Sequence, residues 1–133
     1  MKYLSDDDYN FIYSNVPRIC IDIVIKNDLG ILLTKRDAEP FLGYWHTPGG
    51  RIRFRETIDQ AVKRISFAEL GVSVNPVKLL GVVELLDEVQ NGNDRHSITL
   101  YYECACDTEI KGNYFNDLPE NTIPQQKKFL ESI

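Results

Sequence analysis

The sequence is short of the residues that most often carry chemistry alone: of 133 residues, three are cysteine, two histidine, one methionine and one tryptophan. The three cysteines are an odd number in a chain long enough to bury a core without staples, which needs no disulfide framework. Cys104 and Cys106 alternate along one candidate strand with no histidine beside them, a poor zinc arrangement. They and Cys20 are expected as buried free thiols. Basic residues are also scarce. Fifteen Lys and Arg against twenty Asp and Glu leave a net charge of -5, which argues against a surface that coats nucleic acid. No apolar run approaches membrane-spanning length, and the N-terminal stretch has acids where a signal peptide needs an apolar core. A cytoplasmic protein without membrane or nucleic-acid partners is therefore expected. With 43% hydrophobic and 26% charged residues and no visible repeat, the chain reads as one globular domain over 1–133.

The chain is organised around Gly49 to Val72, GGRIRFRETIDQAVKRISFAELGV. Pro48-Gly49-Gly50 forces a tight backbone path that exposes a carbonyl, a good ligand for a hard cation. Arg51, Arg53 and Arg55 alternate along an extended arm, with Ile52 and Phe54 turned to the core. Their guanidinium forks either meet phosphate oxygens or form a solvated face. Thr57 is a candidate N-cap for a helix to about Leu70, stopped by Gly71, with Ile58, Ala61, Ile65 and Ala68 as its apolar stripe. Glu69 sits at the edge of that stripe. Arg64 lies about 140° around the helix from Glu69, so it is expected to pair with Glu56 and tie the loop to the helix.

On either side the pattern is strand-rich. Ser5 to Ser14 reads as a short helix with Tyr9, Ile12 and Tyr13 on one stripe. Arg18 to Lys26 reads as a buried strand forming a hairpin with Ile31 to Lys35. Asp22 lies in its middle, where a carboxylate needs a salt bridge or a ligand. Trp45, in the loop before the glycines, either pins that loop or stacks on a ligand. Pro76 to Leu86 and Ser97 to Cys106 read as strands separated by a polar segment, Asp87 to Arg95. A loop from Asp107 to Asn113 follows, and Pro124 to Ser132 reads as the last helix, with Pro124 at its first position.

The residues Gly50, Glu56, Arg64, Glu69, Gly71 and Val72 fall in register with the Nudix box, and the stretch resembles that family. The box's other acids are missing: Ile65 follows Arg64 and Ala68 precedes Glu69. That depletion, with Lys35-Arg36, Gly43-Tyr44-Trp45 and Pro48-Gly49-Gly50-Arg51, is similar to one branch, the GDP-mannose mannosyl hydrolases. The resemblance implies an α/β/α sandwich, a mixed β-sheet between helices. It also implies Mg²⁺, or Mn²⁺, held by Glu69 and a carbonyl of Gly49 or Gly50. Arg36 and Arg51 would contact the substrate and assist catalysis, Asp22 would touch the sugar nucleotide, and Trp45 is counted with the binding residues. Related mannosyl hydrolases form dimers, so a homodimer is implied as well.

The same branch would place a general-base histidine in the loop at 107–113, and this chain has none there. Glu109 or Asp107 is the substitute the loop offers. His96 reads as a strand-end residue. Three functions stay open: a sugar-nucleotide hydrolase attacking the anomeric carbon, a Nudix pyrophosphatase attacking phosphorus, and a Nudix-fold domain that binds a nucleotide but turns it over poorly.

Overall fold

A computed structural model describes residues 4–133. Its elements are α1 (Asp6–Tyr13), β1 (Arg18–Val24), β2 (Lys26–Asn27), β3 (Gly30–Lys35), β4 (Trp45–His46), β5 (Gly49–Arg51), α2 (Ile58–Leu70), β6 (Asn75–Gln90), β7 (Asn93–Ala105), β8 (Asn113–Phe115) and α3 (Pro124–Glu131). The main sheet runs β5-β1-β7-β6. It is mixed, because β1 pairs with β7 in parallel and with β5 antiparallel, while β6 and β7 are antiparallel. A smaller sheet is built on β3, with β2, β4 and β8 as its neighbours.

Register divides the chemistry from the core. Side chains alternate across a strand, so Cys20 and Asp22 share a face with their partners Arg51 and Gly49, and with Thr99 and Tyr101 of β7. The opposite face carries Ile21 and Ile23, which are buried with Ala61, Val62 and Ile65 of α2. On the Asp22 face, Val24 and Tyr101 pack against Leu130 of α3. The Phe129 ring stacks on Tyr101 at 4.2 Å, in space left by Gly81, where a Cβ would come within 2.7 Å of that ring. The result is the expected mixed sheet between helices, with α2 on one side and α1 and α3 on the other.

Several local expectations are corrected. The strand at 18–26 breaks at Ile25, whose carbonyl accepts the Leu32 N–H at 2.9 Å, and Lys26–Asn27 pairs with β3. The polar segment 87–95 is not a separator: β6 and β7 continue through it and turn at Asn91-Gly92, both at positive φ. Phe54 does not face the core but is 87% exposed, because the strand ends at Arg51 and Phe54-Arg55 form a turn, with Arg55 at φ 65° and the Glu56 N–H bonded to the Arg53 carbonyl at 3.0 Å. On α2 the stripe is rotated. Ala68 is exposed and Ser66 is buried, its hydroxyl accepting the Val74 N–H at 3.0 Å. Of the thiols, which are all free, only Cys104 is buried.

Candidate active site

Helix α2 is fixed at both ends. Thr57 and Gln60 form a reciprocal capping box, and Gly71 closes the helix in the left-handed conformation at φ 76°, as the sequence reading of its caps requires. Just before it, Arg64 grips Glu56 with two contacts, Nε to Oε2 at 2.7 Å and an Nη2 bond to Oε1 at 2.9 Å. The same Nη2 donates to the Arg51 carbonyl at 2.8 Å, and Glu56 Oε1 accepts the Arg53 N–H at 3.0 Å. The Arg64 hydrogen bonds hold the Glu56 carboxyl below its usual range. The Glu56 side chain is only 3% exposed. Arg64→Met is therefore expected to cost about 3 kcal/mol in denaturant unfolding, because it strands a buried carboxylate. Glu56 contributes above its ordinary carboxylate range and loses that contribution as pH falls through its lowered value, so the difference between the two proteins should vanish in acid.

The glycine loop threads between two acids. Gly49 faces Asp22 so closely that a Cβ there would collide with Asp22 Oδ1. Ile23 N donates to Pro48 O and Ile52 N to Ile19 O, both at 2.8 Å. In the alternating ladder of an antiparallel pair this turns the N–H and C=O of Gly49 outward, away from β1. The outward N–H lies near enough to the carboxyl of Glu69, an exposed residue overall, to favour its charged form. Burial raises Glu69 to about 7, against the pull of the Gly49 N–H and Arg36. Burial likewise raises Asp22 to about 7. The hydroxyls of Tyr101 and Thr47 oppose that rise, and the charge of Glu69 adds to it. Two carboxyls thus flank one glycine with their charges disfavoured.

Three residues complete the Asp22 surroundings that sequence reasoning missed. Gln126 of α3 donates Nε2 to Asp22 Oδ2 at 3.4 Å, while its Oε1 accepts the Thr47 N–H at 2.9 Å and the Thr47 hydroxyl at 3.2 Å. Tyr101 adds its hydroxyl from the neighbouring strand, and is itself pushed up by burial and by Asp22. Asp22 therefore bonds to an amide beside two hydroxyls, and among the described residues it forms no ion pair with a core arginine.

The remaining candidates are dispersed. Arg36 is close enough to bias both Glu69 and His46, but its Nε is engaged by the Pro40 carbonyl at 2.6 Å. His46 contacts Thr34 Oγ1 through Nε2 at 3.2 Å and is lowered to about 4, by burial first and Arg36 second, so it is neutral at working pH. The Trp45 ring meets Phe115 edge-on at 4.9 Å, with the Lys35 ammonium 5.4 Å from its centroid. Glu109 is exposed in the loop after β7, where its charge bears on Tyr114. Arg51 reaches the tyrosines of α1.

Among the described residues no group of three or more His, Cys, Asp or Glu is placed to hold a metal ion. The donor set nevertheless suits one hard cation that keeps water and takes substrate oxygens. Glu69 and the outward carbonyl of Gly49 would hold it, and the raised carboxyls mark a place short of positive charge. An all-protein cage does not fit. The box position after Arg64 is filled by Ile65, 3% exposed, whose side chain a Cβ on Gly50 would meet at 3.4 Å.

Comparison with known proteins identifies the family. The family model described as NUDIX domain matches residues 16–125, and the chain belongs to the Nudix family. It is 33% identical over 109 residues to the "Low-salt glycan biosynthesis protein Agl8" of Haloferax volcanii, spanning 80% of this chain and 70% of that protein. It is 36% identical over 116 residues to an "ADP-ribose pyrophosphatase" of Methanocaldococcus jannaschii, spanning 82% of this chain and 66% of that one. Among solved structures, a MutT NUDIX hydrolase from Burkholderia pseudomallei superposes with a TM-score of 0.75 at 27% identity, covering 90% of this chain and 99% of the other. No described helix is long and apolar enough to cross a membrane.

Proposed function

We propose that this Nudix protein hydrolyses a nucleoside diphosphate sugar, GDP-mannose or GDP-glucose first among the candidates, by attack of water on the anomeric carbon. The observation that carries the reading is the hydrocarbon at Ile65, packed beneath Gly50. It leaves Glu69 as the lone box acid at the glycine loop. Attack on phosphorus draws on several box acids to activate water, whereas attack on carbon needs the diphosphate neutralised as a leaving group. The 33% identity to a protein named for glycan biosynthesis supports the same direction.

In this reading Glu69 and the Gly49 carbonyl hold Mg²⁺ or Mn²⁺, which when bound supplies charge neutralisation at the diphosphate. Arg51 and Arg36 present guanidinium donors to the phosphate oxygens. Asp22, fixed by Gln126 and Tyr101, accepts a sugar hydroxyl. Water attacks the anomeric carbon, the bond from that carbon to the phosphate oxygen breaks, and GDP leaves as the sugar gains the hydroxyl. Glu109 takes the proton of the attacking water. Glu109→Gln is expected to lower kcat about a hundredfold with little change in KM, the usual weight of a general base; an unchanged rate removes it from the mechanism.

The 36% identity to a protein named ADP-ribose pyrophosphatase favours a second reading, cleavage between the phosphates. Hydrolysis in ¹⁸O-labelled water separates the two. Label in free sugar with GDP released supports carbon attack. Label in a phosphate, with GMP and sugar phosphate as products, establishes the second reading, and no turnover of GDP-mannose, GDP-glucose or ADP-ribose leaves a nucleotide-binding domain.

A further inference from the structure

Arg51 stands two residues along β5 from Gly49, on the sheet face that carries Cys20 and Asp22. Among the described residues no acid forms an ion pair with it. Its guanidinium instead lies 5.4 Å from the ring centroid of Tyr13 and 5.7 Å from that of Tyr9. Nη1 donates to the Tyr13 hydroxyl at 3.4 Å. The two tyrosines are one helical turn apart on α1, their rings 4.9 Å from one another.

Tyr9 is anchored in turn. Its hydroxyl accepts from Arg18 Nη1 at 2.9 Å, and the guanidinium of Arg95, which is 2% exposed, lies 5.3 Å from its ring centroid. Arg18 pairs with Glu88 at 3.1 Å, while Arg95 bonds to Asn10 of α1 and to Ser14, its C-cap. Helix α1 buries none of its own residues and leaves Phe11 74% exposed. It is docked on the sheet mainly by arginine contacts with its polar and aromatic side chains.

Aromatic faces hold a guanidinium without cancelling its charge, and, the long Nη1 contact to the Tyr13 hydroxyl apart, they leave its in-plane N–H groups for the two-point contact that phosphate oxygens favour. A carboxylate partner would instead have to be displaced by each incoming phosphate. We propose that Tyr9 and Tyr13 are positioning residues that hold Arg51 ready for the diphosphate, so that α1 sets the phosphate affinity of the site. The inference rests on the proposed function only in taking the substrate's diphosphate as the group Arg51 meets.

The test titrates inorganic pyrophosphate into the full chain in metal-free buffer, followed by calorimetry and by the Tyr13 ring resonances. The native protein is expected to bind, with those resonances shifting as the guanidinium turns to phosphate. Tyr13→Phe, which keeps the ring, should bind within about twofold of native, and Tyr13→Leu should bind about tenfold more weakly. In an Arg51→Gln background the Tyr13→Leu loss should disappear. Absence of pyrophosphate binding, native affinity in Tyr13→Leu, or a loss that persists without Arg51 would each overturn the inference. Should Tyr13→Leu fail to fold, unmoved Tyr13 resonances in the native protein overturn it equally. Because pyrophosphate has no sugar, intact coupling without sugar-nucleotide turnover sinks the proposed function alone. Turnover without coupling sinks this inference alone.

Discussion

Glu69→Gln is expected to lower kcat/KM by about a thousandfold or more while leaving the fold intact, the scale of losing the charge that organises a diphosphate site. The size follows from the absence of any substitute. Ile65 is hydrocarbon in the core, Ala68 carries no acid, and no cluster of three acids, histidines or cysteines is placed to take over among the described residues. Glutamine keeps a carbonyl oxygen beside the Gly49 N–H and loses the charge, while β5 stays paired with β1 through backbone bonds that do not involve Glu69, so the glycine loop should stay in place. Thermal melts with Mg²⁺ supply an independent reading. The native protein should gain stability as Mg²⁺ rises, by mass action on the folded state, and the variant should gain far less. Native turnover in Glu69→Gln would remove Glu69 from the machinery, and an undiminished Mg²⁺ shift would place the ion elsewhere.

Helix α2 was legible in the sequence because each of its signals is local: a cap at Thr57, a stop at Gly71, and Arg64 within reach of Glu56. The mixed sheet between helices also followed from the resemblance. The surroundings of Asp22 were not legible. Thr47, Tyr101 and Gln126 come from a loop, a parallel neighbour strand and the last helix, and no spacing rule joins them. The fate of Arg51 was hidden likewise, since its alternation with Arg53 and Arg55 says nothing about a helix residue 38 positions upstream. One signal was present but unused. Asn91-Gly92 is a hairpin-turn pair, and the polar residues around it continue the two strands, where Arg95 is buried under α1 instead of an apolar residue, so alternation with apolar residues is weak.

Asp22→Asn is expected to give a protein more stable than native yet less active, and the two effects should part with pH. The Asp22 carboxyl rises from 3.8 to about 7 on folding, mainly by burial, so the native state holds its proton more tightly than the unfolded chain does. Below about pH 4 both states are protonated and no penalty exists. Between there and about pH 7 the unfolded chain ionises first and native stability falls; above it the full penalty applies, at most about 4 kcal/mol. Asparagine carries no such term and keeps a carbonyl oxygen for the Gln126 amide or the Tyr101 hydroxyl. The melting temperature of the variant should therefore exceed native at pH 8 and converge with it near pH 4. Turnover should fall about ten- to a hundredfold, the cost of losing a charged hydrogen bond to a sugar hydroxyl. A cation at Glu69 and Gly49 would offset the native penalty, so Mg²⁺ should narrow the gap at pH 8. A variant less stable than native at pH 8 would mean that the Asp22 charge is already satisfied in the folded protein. Its role would then be to hold the glycine loop, and not to meet a ligand.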